Sequence, residues 1–188
     1  MERYLSKAVC RKMIESDLEM VMNWRMMPDI TKFMYSDPKL TLEGQKKWFH
    51  TIKEQNDKYL WIIEVDEVPV GCMMILEIDY INKRCNPGYY IAVKEKRSIE
   101  LALRLEWSLF DFIFSKLNFN KFVSEVFSFN KGVIRLHQLC GCTIEGTLKE
   151  HIMKNGEFYD VTLLRLTKEE WEGKKSKFKY EPIKFEVE

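Results

Sequence analysis

The segment spanning residues 89–127 constrains the fold more than any other part of this sequence. Residues 89–93 and 122–127 are short apolar runs that predict strands, and residues 98–117 between them predict a long helix whose polar positions form a single stripe. Two strands joined through a helix pair in parallel, and a helix that is apolar on its other faces is buried against the sheet. The segment therefore predicts one strand–helix–strand crossover unit.

Hairpins are predicted on both sides of this unit. Residues 59–80 are expected to form two strands that turn at Asp66-Glu67, and residues 143–166 two strands that turn at Asn155-Gly156, a strong hairpin signal. Hairpins require antiparallel pairing. The sequence therefore predicts a mixed α/β fold, in which a mostly antiparallel sheet contains one parallel strand pair and carries helices on both faces.

A strand and two helices are predicted before the first hairpin. Ser16 and Glu19 have the spacing of a capping box, and the helix that they open is expected to end at Pro28. Thr41 is predicted to cap a second helix over residues 42–55.

Length and charge exclude several classes of protein. A chain of 188 residues fits one domain, which we assign to residues 1–171, and the charge-rich residues 172–188 are expected to form a tail on the surface. The net charge of +1 argues against a nucleic-acid or anionic-membrane partner. The apolar stretches fall short of the ~18 residues of a membrane helix, and the N-terminus lacks the apolar core of a secretory signal. We therefore expect a cytoplasmic protein.

The cysteines give no sign of a disulfide framework or a metal site. Their number is odd and their spacing does not complete a set of four zinc ligands. We expect buried free thiols at Cys10, Cys72, Cys85, Cys140 and Cys142.

Three stretches within residues 8–171 resemble the GNAT superfamily of N-acetyltransferases. They are W-R-M-M-P-D-I at 24–30 with F-M-Y at 33–35, N-K-G-V-I-R-L-H at 130–137, and I-E-G-T-L-K at 144–149 with Y-D-V at 159–161. The first resembles the W-R-N-x-P-x-(V/I)…M-Y region of enzymes that acetylate UDP-linked 4-amino-4,6-dideoxy sugars in pseudaminic acid synthesis. The other two are similar to motifs that also occur in ribosomal-protein N-terminal acetyltransferases and small-amine enzymes.

The resemblance implies acetyl-CoA as co-substrate and direct attack by an amine in a ternary complex. It implies that the two parallel strands part to admit the pantetheine arm, and that the loop after the first of them cradles the pyrophosphate on backbone N–H groups. The residues implied in cofactor binding are Ile91, Ala92, Val93, Lys94, Lys96, Arg97, Ser98, Ile99 and Asn130. Such loops usually carry glycines and this one has none. We interpret its basic side chains as added charge for the phosphates, and the alternative is a solvated charged loop.

Three residues are candidates for proton transfer. His137 stands where the resembling helix usually presents a tyrosine that protonates the cofactor sulfur, and a histidine can transfer protons near neutral pH. Its alternative role is a hydrogen-bonded core histidine. Glu125 and Glu77 compete as the base that deprotonates the amine, or both are solvent-facing strand residues.

The acceptor implied by the resemblance is the 4-amino group of a nucleotide-linked amino-deoxy sugar. The positions implied in binding it are Arg25, Gln45 and Tyr89. One alternative is a protein N-terminal or polyamine acetyltransferase, with an acidic groove formed by Glu77, Asp79 and Glu125. Another is a GNAT-fold binding module without catalysis. The sequence is also compatible with a homodimer.

Overall fold

The computed structural model describes residues 6–55 and 58–187, and these contain one mixed sheet. Its strands are β1 Ala8–Lys12, β2 Tyr59–Val65, β3 Val68–Asp79, β4 Arg84–Ile91, β5 Lys121–Phe127, β6 Thr143–Lys154, β7 Glu157–Thr167 and β8 Lys184–Phe185. They lie in the order β6-β7-β5-β4-β3-β2-β1-β8. The pairs β4–β5 and β1–β8 are parallel, and the others are antiparallel. The predicted mixed sheet with a parallel pair inside it is confirmed.

Helices cover both faces of the sheet, as predicted. They are α1 Leu18–Arg25, α2 Pro28–Thr31, α3 Leu42–Glu54, α4 Ile99–Asp111, α5 Lys131–Leu139 and α6 Lys168–Lys174. Two apolar clusters fill the two layers. Trp24 and Phe49 pack over Ile62 on one face, whereas Leu105 and Ile134 pack with Phe122 on the other. Within the described residues, no helix has both the length and the apolar character needed to cross a membrane.

The two helices that were predicted before the first hairpin begin differently from each other. Thr41 caps α3 as predicted, since its hydroxyl accepts a hydrogen bond from the Gly44 N–H at 3.2 Å. Ser16 does not cap α1, because a 3-10 turn over Glu15–Asp17 precedes that helix. The carboxylate of Asp17, the last residue of that turn, accepts from the Ile14 N–H at 2.9 Å and is held by Arg11, so it satisfies the backbone at the start of the 3-10 turn and leaves α1 without a side-chain cap.

The parallel pair β4–β5 is joined over only two positions. Arg84 lies opposite Lys121 and Cys85 opposite Phe122, and beyond these residues the strands separate. Pro87, two residues further along β4, has no N–H to donate to a neighbouring strand. The other edge of β5 stays paired with β7 along its whole length. The predicted opening between two parallel strands is therefore present, and we call it the notch.

The end of β4 is fixed from the side of β3. The N–H groups of Ala92 and Val93 both donate to the Val70 carbonyl oxygen, at 2.7 and 3.2 Å. This double contact brings the two backbones together at Gly71, where an added Cβ would lie 2.1 Å from the Tyr90 carbonyl oxygen. Glycine at position 71 is thus required by the packing of β4 at the notch.

The C-terminal segment is part of the sheet. β8 pairs with β1, Ile183 is only 3% exposed, and the Trp61 indole N–H donates to the Glu186 carbonyl oxygen at 2.7 Å. Phe178 stacks on Trp107 with ring centroids 4.8 Å apart. The expectation of a tail on the surface is therefore wrong for residues 178–185, because Phe178, Ile183 and Phe185 pack in or against the core.

Replacing Gly71 with alanine should destabilise the protein. The new methyl group meets backbone atoms that cannot rotate away, so we expect Gly71→Ala to lower the free energy of unfolding by about 1–3 kcal/mol in denaturant titrations. The control is Gly146→Ala in β6, whose Cβ would meet no atom within 4 Å. Equal stability of the two variants would show that β3 and β4 are not held this closely.

Truncating Ile183 tests whether the C-terminal segment belongs to the core. Ile183→Ala leaves a cavity in a buried site, and we expect it to lower the free energy of unfolding by about 2–4 kcal/mol. Val187→Ala changes an exposed side chain four residues away and should cost less than about 0.5 kcal/mol. A neutral Ile183→Ala variant would mean that β8 is detached in solution.

Candidate active site

The notch separates two groups of polar side chains that lie on opposite faces of the sheet. Ser124 and Glu125 are neighbours in β5, and successive side chains of a strand point to opposite faces. The Ser124 hydroxyl lies 3.2 Å from Nε2 of His137 on α5. The Glu125 carboxylate accepts a hydrogen bond from the Tyr35 hydroxyl at 3.1 Å. The candidate groups for the two proton transfers therefore lie next to each other in the open part of β5, one on each face of the sheet.

We call the first group the carboxylate face, formed by Glu77, Asn86, Glu125 and Tyr35. A bulge in β3 between Ile75 and Glu77 brings Glu77 opposite Asn86 of β4, whose amide donates to it at 2.9 Å. Burial raises the pKa of Tyr35, and the charges of Glu125 and Glu77 raise it further. Both carboxylates thus raise the pKa of the same Tyr35 hydroxyl, although they lie on strands that are separated by β4.

Asp79 does not join this face. Its carboxylate accepts hydrogen bonds from the backbone and the side chain of Asn82, at 2.8 and 2.7 Å, and from Arg84 at 3.1 Å. The Asn82 hydrogen bonds, followed by Arg84, lower the pKa of Asp79. The acidic groove expected from three carboxylates therefore has two, because the turn after β3 uses the third.

The loop that carries Tyr35 is clamped by the tip of the β6–β7 hairpin. The Lys154 ammonium donates to the carbonyl oxygens of Thr31 and Met34 at 2.6 and 2.8 Å, and lies 3.0 Å from the Asp37 carboxylate. Its side chain is only 10% exposed. Three acceptors thus satisfy the three donors of the ammonium group, which fixes the loop over the carboxylate face.

Arg25 and Gln45 lie on the helices that cover this face. The Arg25 guanidinium is half-buried, and its Nη2 donates to the Ser36 hydroxyl at 3.2 Å. Burial lowers the pKa of Arg25, against the opposing influence of Tyr90 and Asp37. Gln45 stands in the first turn of α3, where its backbone bonds to Thr41.

The structure does not place Tyr89 with these two residues. Its side chain packs with the core on the α4–α5 face, on the far side of the sheet from Arg25 and Gln45. Burial raises the pKa of Tyr89 well above its usual range, and the neighbouring Glu106 raises it further. Tyr89 therefore does not line a common substrate pocket with the other two, contrary to the expectation from sequence.

The second group is a buried chain of hydrogen bonds through His137. Nδ1 of the imidazole lies 3.2 Å from the Glu106 carboxylate, and Nε2 lies 3.2 Å from the Ser124 hydroxyl. Glu106 is 1% exposed and His137 is 6% exposed. Sequence reasoning missed Glu106 and Ser124. The available signal was a glutamate on the apolar side of a predicted helix, since a buried carboxylate needs a partner.

The loop after β4 adopts ordinary backbone conformations. Lys94–Lys96 form a 3-10 turn, Arg97 and Ser98 are extended, and neither has a positive φ. Ser98 caps α4 by accepting from the Leu101 N–H at 3.1 Å. The conformation of this loop therefore does not require glycine, which explains how the chain forms it without one.

Arg97 is turned back onto its own chain. Its guanidinium donates to the carbonyl oxygens of Ile91 and Ala92, at 2.8 and 3.0 Å, and lies 2.9 Å from the Asp29 carboxylate. The Lys94 ammonium lies 3.8 Å from the Asp29 carboxylate, and the Lys96 ammonium lies 3.7 Å from the Asp66 carboxylate. Arg97 thus stabilises the end of β4 at the notch, and each of the three basic side chains of the loop lies within ion-pair distance of a carboxylate.

The loop and α4 fit a bound diphosphate. The first N–H groups of a helix have no partner within the helix, and at α4 the Ser98 hydroxyl takes only that of Leu101. Ile99 at the first helical position is 62% exposed, so its side chain leaves the backbone accessible. Asn130 caps α5 at the other side of the notch by accepting from the Val133 N–H at 3.4 Å. These groups would hold the diphosphate of coenzyme A and the start of its pantetheine arm.

Side chains suited to metal binding do not cluster in the described residues. No group of three or more His, Cys, Asp or Glu side chains there could hold a metal ion. The five cysteines are buried free thiols, as expected, and burial raises the pKa of Cys85 to about 12.

Comparison with known proteins identifies the class. The model of the acetyltransferase (GNAT) domain family matches residues 11–163, and the chain belongs to this family. It is therefore an N-acetyltransferase that uses acetyl-CoA, and the fold expected from the sequence is confirmed.

Two curated relatives and one solved structure are similar over most of the chain. An uncharacterized SPbeta prophage-derived N-acetyltransferase, YokL of Bacillus subtilis, is 33% identical over 130 residues, which are 69% of this chain and 72% of that protein. Spermidine N(1)-acetyltransferase of Vibrio cholerae is 24% identical over 157 residues, 83% of this chain and 90% of that protein. The crystal structure of spermidine N-acetyltransferase from Vibrio cholerae with CoA and spermine shares the fold, with a TM-score of 0.82 at 21% identity, covering 88% of this chain and 98% of that one. The subtype that acts on pseudaminic-acid sugars is not supported.

The proposed diphosphate site at the start of α4 can be tested by removing one backbone N–H group. Proline is compatible with the first position of a helix, and the extended backbone of Ser98 suits a residue that precedes proline. We expect Ile99→Pro to weaken acetyl-CoA binding about five- to tenfold in calorimetry, because one hydrogen bond to a phosphate is lost. Ile99→Ala, which keeps the N–H, is the control. Equal affinities of the two variants would place the phosphates elsewhere.

Proposed function

We propose that this protein acetylates a primary amine of a polyamine-type cation. The observation that carries the proposal is the carboxylate face, where Glu77 and Glu125 are exposed on the same side of the sheet next to the notch. Each is bonded by a neutral group, an amide or a phenol, and within the described part of the chain neither forms an ion pair with Lys or Arg. Two unneutralised carboxylates suit an acceptor that carries more than one positive charge.

The two carboxylates would have different roles. Glu125 follows Ser124 in the open part of β5, so we assign it the proton of the reacting amine. Glu77 lies two strands away on β3 and would bind a second ammonium group of the same molecule. Tyr35 touches Glu125 and would help to orient it. A linear polyamine can reach both positions, whereas a monoamine can reach only one.

The electrostatics do not favour a nucleotide-linked sugar. A diphosphate needs cationic partners, but Arg25 is half-buried against Ser36, and the Lys154 ammonium is fully used by the loop that it clamps. Glu77 and Glu125 would repel the phosphates. The comparisons add support, since the spermidine acetyltransferase of Vibrio cholerae is similar to this chain in sequence, and a spermidine N-acetyltransferase structure from that organism, solved with CoA and spermine, shares the fold.

The test is a comparison of spermidine with butylamine in an assay of CoA thiol release. Glu125→Gln should lower kcat about 100-fold for both amines, because it removes the base. Glu77→Gln should raise KM about fivefold for spermidine and leave butylamine unchanged, because only spermidine has a second charge to bind. Glu172→Gln, an exposed change on α6, should alter neither.

Three outcomes would contradict the proposal. Turnover of a nucleotide-linked amino sugar with none of spermidine would restore the sugar hypothesis. A preference for peptide N-termini would assign the carboxylate face to peptide binding. Binding of acetyl-CoA without turnover of any amine would indicate a binding module.

A further inference from the structure

The buried chain Glu106–His137–Ser124 is not needed by the acceptor site and joins three elements of the fold. Glu106 lies on α4, His137 on α5 and Ser124 on β5. A carboxylate, an imidazole and a hydroxyl in sequence, with contacts of 3.2 Å at both nitrogens, form an arrangement that can orient and move a proton.

We propose that Ser124 is a catalytic residue that delivers a proton to the sulfur leaving the thioester, and that His137 and Glu106 are positioning residues acting through it. The inference rests on the proposed function, because it requires acetyl-CoA in the notch and an amine on the carboxylate face. It changes the role predicted for His137, from direct donor to the second member of a relay.

The position of Ser124 favours it over His137 as the group that meets the sulfur. Ser124 stands two residues beyond Phe122, the last residue of β5 that pairs with β4, so its backbone borders the notch. Both ring nitrogens of His137 already have partners, which leaves no ring atom free for the sulfur. Ser124 also precedes Glu125 directly, so the groups that would take and give protons lie on either side of one strand.

The burial of Glu106 indicates how the relay is oriented. A carboxylate that is 1% exposed is stable only with a hydrogen-bonding or charged partner, and His137 supplies it. The other groups that face Glu106 are the Tyr89 hydroxyl from β4 and the thiols of Cys140 and Cys142, which follow α5. None of these is cationic. Glu106 therefore holds a proton on Nδ1 and directs Nε2 towards Ser124.

The proton balance of the step is closed. As the amine nitrogen forms the new bond to the acetyl carbon, the C–S bond breaks and its electron pair leaves on sulfur. Ser124 gives its hydroxyl proton to the sulfur, and the His137 imidazolium returns a proton from Nε2 to Ser124. The reacting ammonium group first loses one proton to water through Glu125 and becomes a neutral amine, and after the attack Glu125 takes the second proton from nitrogen and releases it to water. His137 takes up a proton from water before the next turnover.

The first variant is Ser124→Ala, with Ser128→Ala as a matched control. Ser128 lies just past the end of β5, and its hydroxyl contacts Thr162 at 2.8 Å, away from His137. We expect Ser124→Ala to lower kcat for spermidine about 50-fold with less than about a threefold change in the KM of acetyl-CoA. Ser124→Thr keeps the hydroxyl and should recover most of the rate. Ser128→Ala should resemble wild type.

A binding measurement tests the same contact without turnover. The ligands are CoA and desulfo-CoA, which lacks the thiol. Wild type and Ser128→Ala should bind CoA about five- to tenfold more tightly than desulfo-CoA in calorimetry, because a hydrogen bond to sulfur is present, and Ser124→Ala should abolish this difference.

A double variant tests the coupling between the relay members. Glu106→Gln keeps the shape of the side chain, and we expect it to lower kcat about tenfold while leaving CoA affinity unchanged. In Ser124→Ala/Glu106→Gln the loss should equal that of Ser124→Ala alone, because Glu106 acts through Ser124. Additive losses would show that Glu106 acts independently and would remove it from the relay.

The relay is overturned if Ser124→Ala keeps kcat within twofold of wild type, if Ser128→Ala loses as much, or if the ratio of CoA to desulfo-CoA affinity is the same in Ser124→Ala and wild type. Failure of the proposed function looks different. No amine would then be acetylated, while the affinity ratio would still depend on Ser124. If neither ligand binds, both proposals fail.

Discussion

The functional arrangement depends on β4 and β5 being held apart, and each strand is held by a different neighbour. β5 is paired with β7 over its entire length, and this pairing fixes the direction in which β5 runs away from β4. β4 is tied to β3 through the Val70 carbonyl oxygen and the close approach at Gly71, and Arg97 bonds the carbonyl oxygens at its end. An opening inside a sheet leaves backbone groups without sheet partners, which is unfavourable unless something else satisfies them. The structure offsets part of this cost at the end of β4, where Arg97 bonds two carbonyl oxygens, and the first N–H groups of α4 stay available to an anionic ligand.

The opening also separates two electrostatic environments. On one face, Glu77 and Glu125 are exposed and bonded by neutral groups, so their charges remain available to an incoming cation. On the other, Glu106 is excluded from water and depends on His137. The buried hydrogen bond between Glu106 and His137 therefore fixes geometry, whereas the exposed carboxylates would attract the proposed cationic acceptor. An acetyltransferase needs both, since the amine must be collected from solvent and the leaving sulfur must meet a group already in position.

Sequence patterns predicted the elements whose signals are local. The crossover unit, the Asn155-Gly156 hairpin and the Thr41 cap follow from periodicity and turn chemistry within a few residues. The missed features depend on contacts that are distant in sequence. β8 finds its partner in β1, about as far away as the chain allows, and its two residues carry no strand signal of their own. A 3-10 turn over Glu15–Asp17 stands where the Ser16 cap was predicted, and its Asp17 carboxylate is held by Arg11, which also bonds Glu64 on β2.

Distance in sequence also explains which site residues were found. His137, Glu125 and Glu77 were each predicted without their partners. For each of them the sequence left a catalytic role and a purely structural role open. The residues that form hydrogen bonds with them are Ser124, Glu106, Tyr35 and Asn86. Of the four, only Ser124 lies beside a predicted residue in the chain. Asp79 was expected to share an acidic groove with Glu77, but in the turn after β3 its carboxylate bonds Asn82 and does not join the site.

The stretch that suggested a sugar substrate shows why a local motif can indicate a family and yet not its acceptor. Trp24 is buried in the core, Arg25 is directed to Ser36, and the carbonyl oxygen of Met34 is bonded by Lys154. These residues build and anchor the loop over the site. In the proposed site, the charge that an acceptor meets would be set by Glu77 on β3 and Glu125 on β5, which lie outside the motif. Enzymes with the same loop and different residues at those two strand positions would therefore resemble one another in the motif while selecting acceptors of different charge.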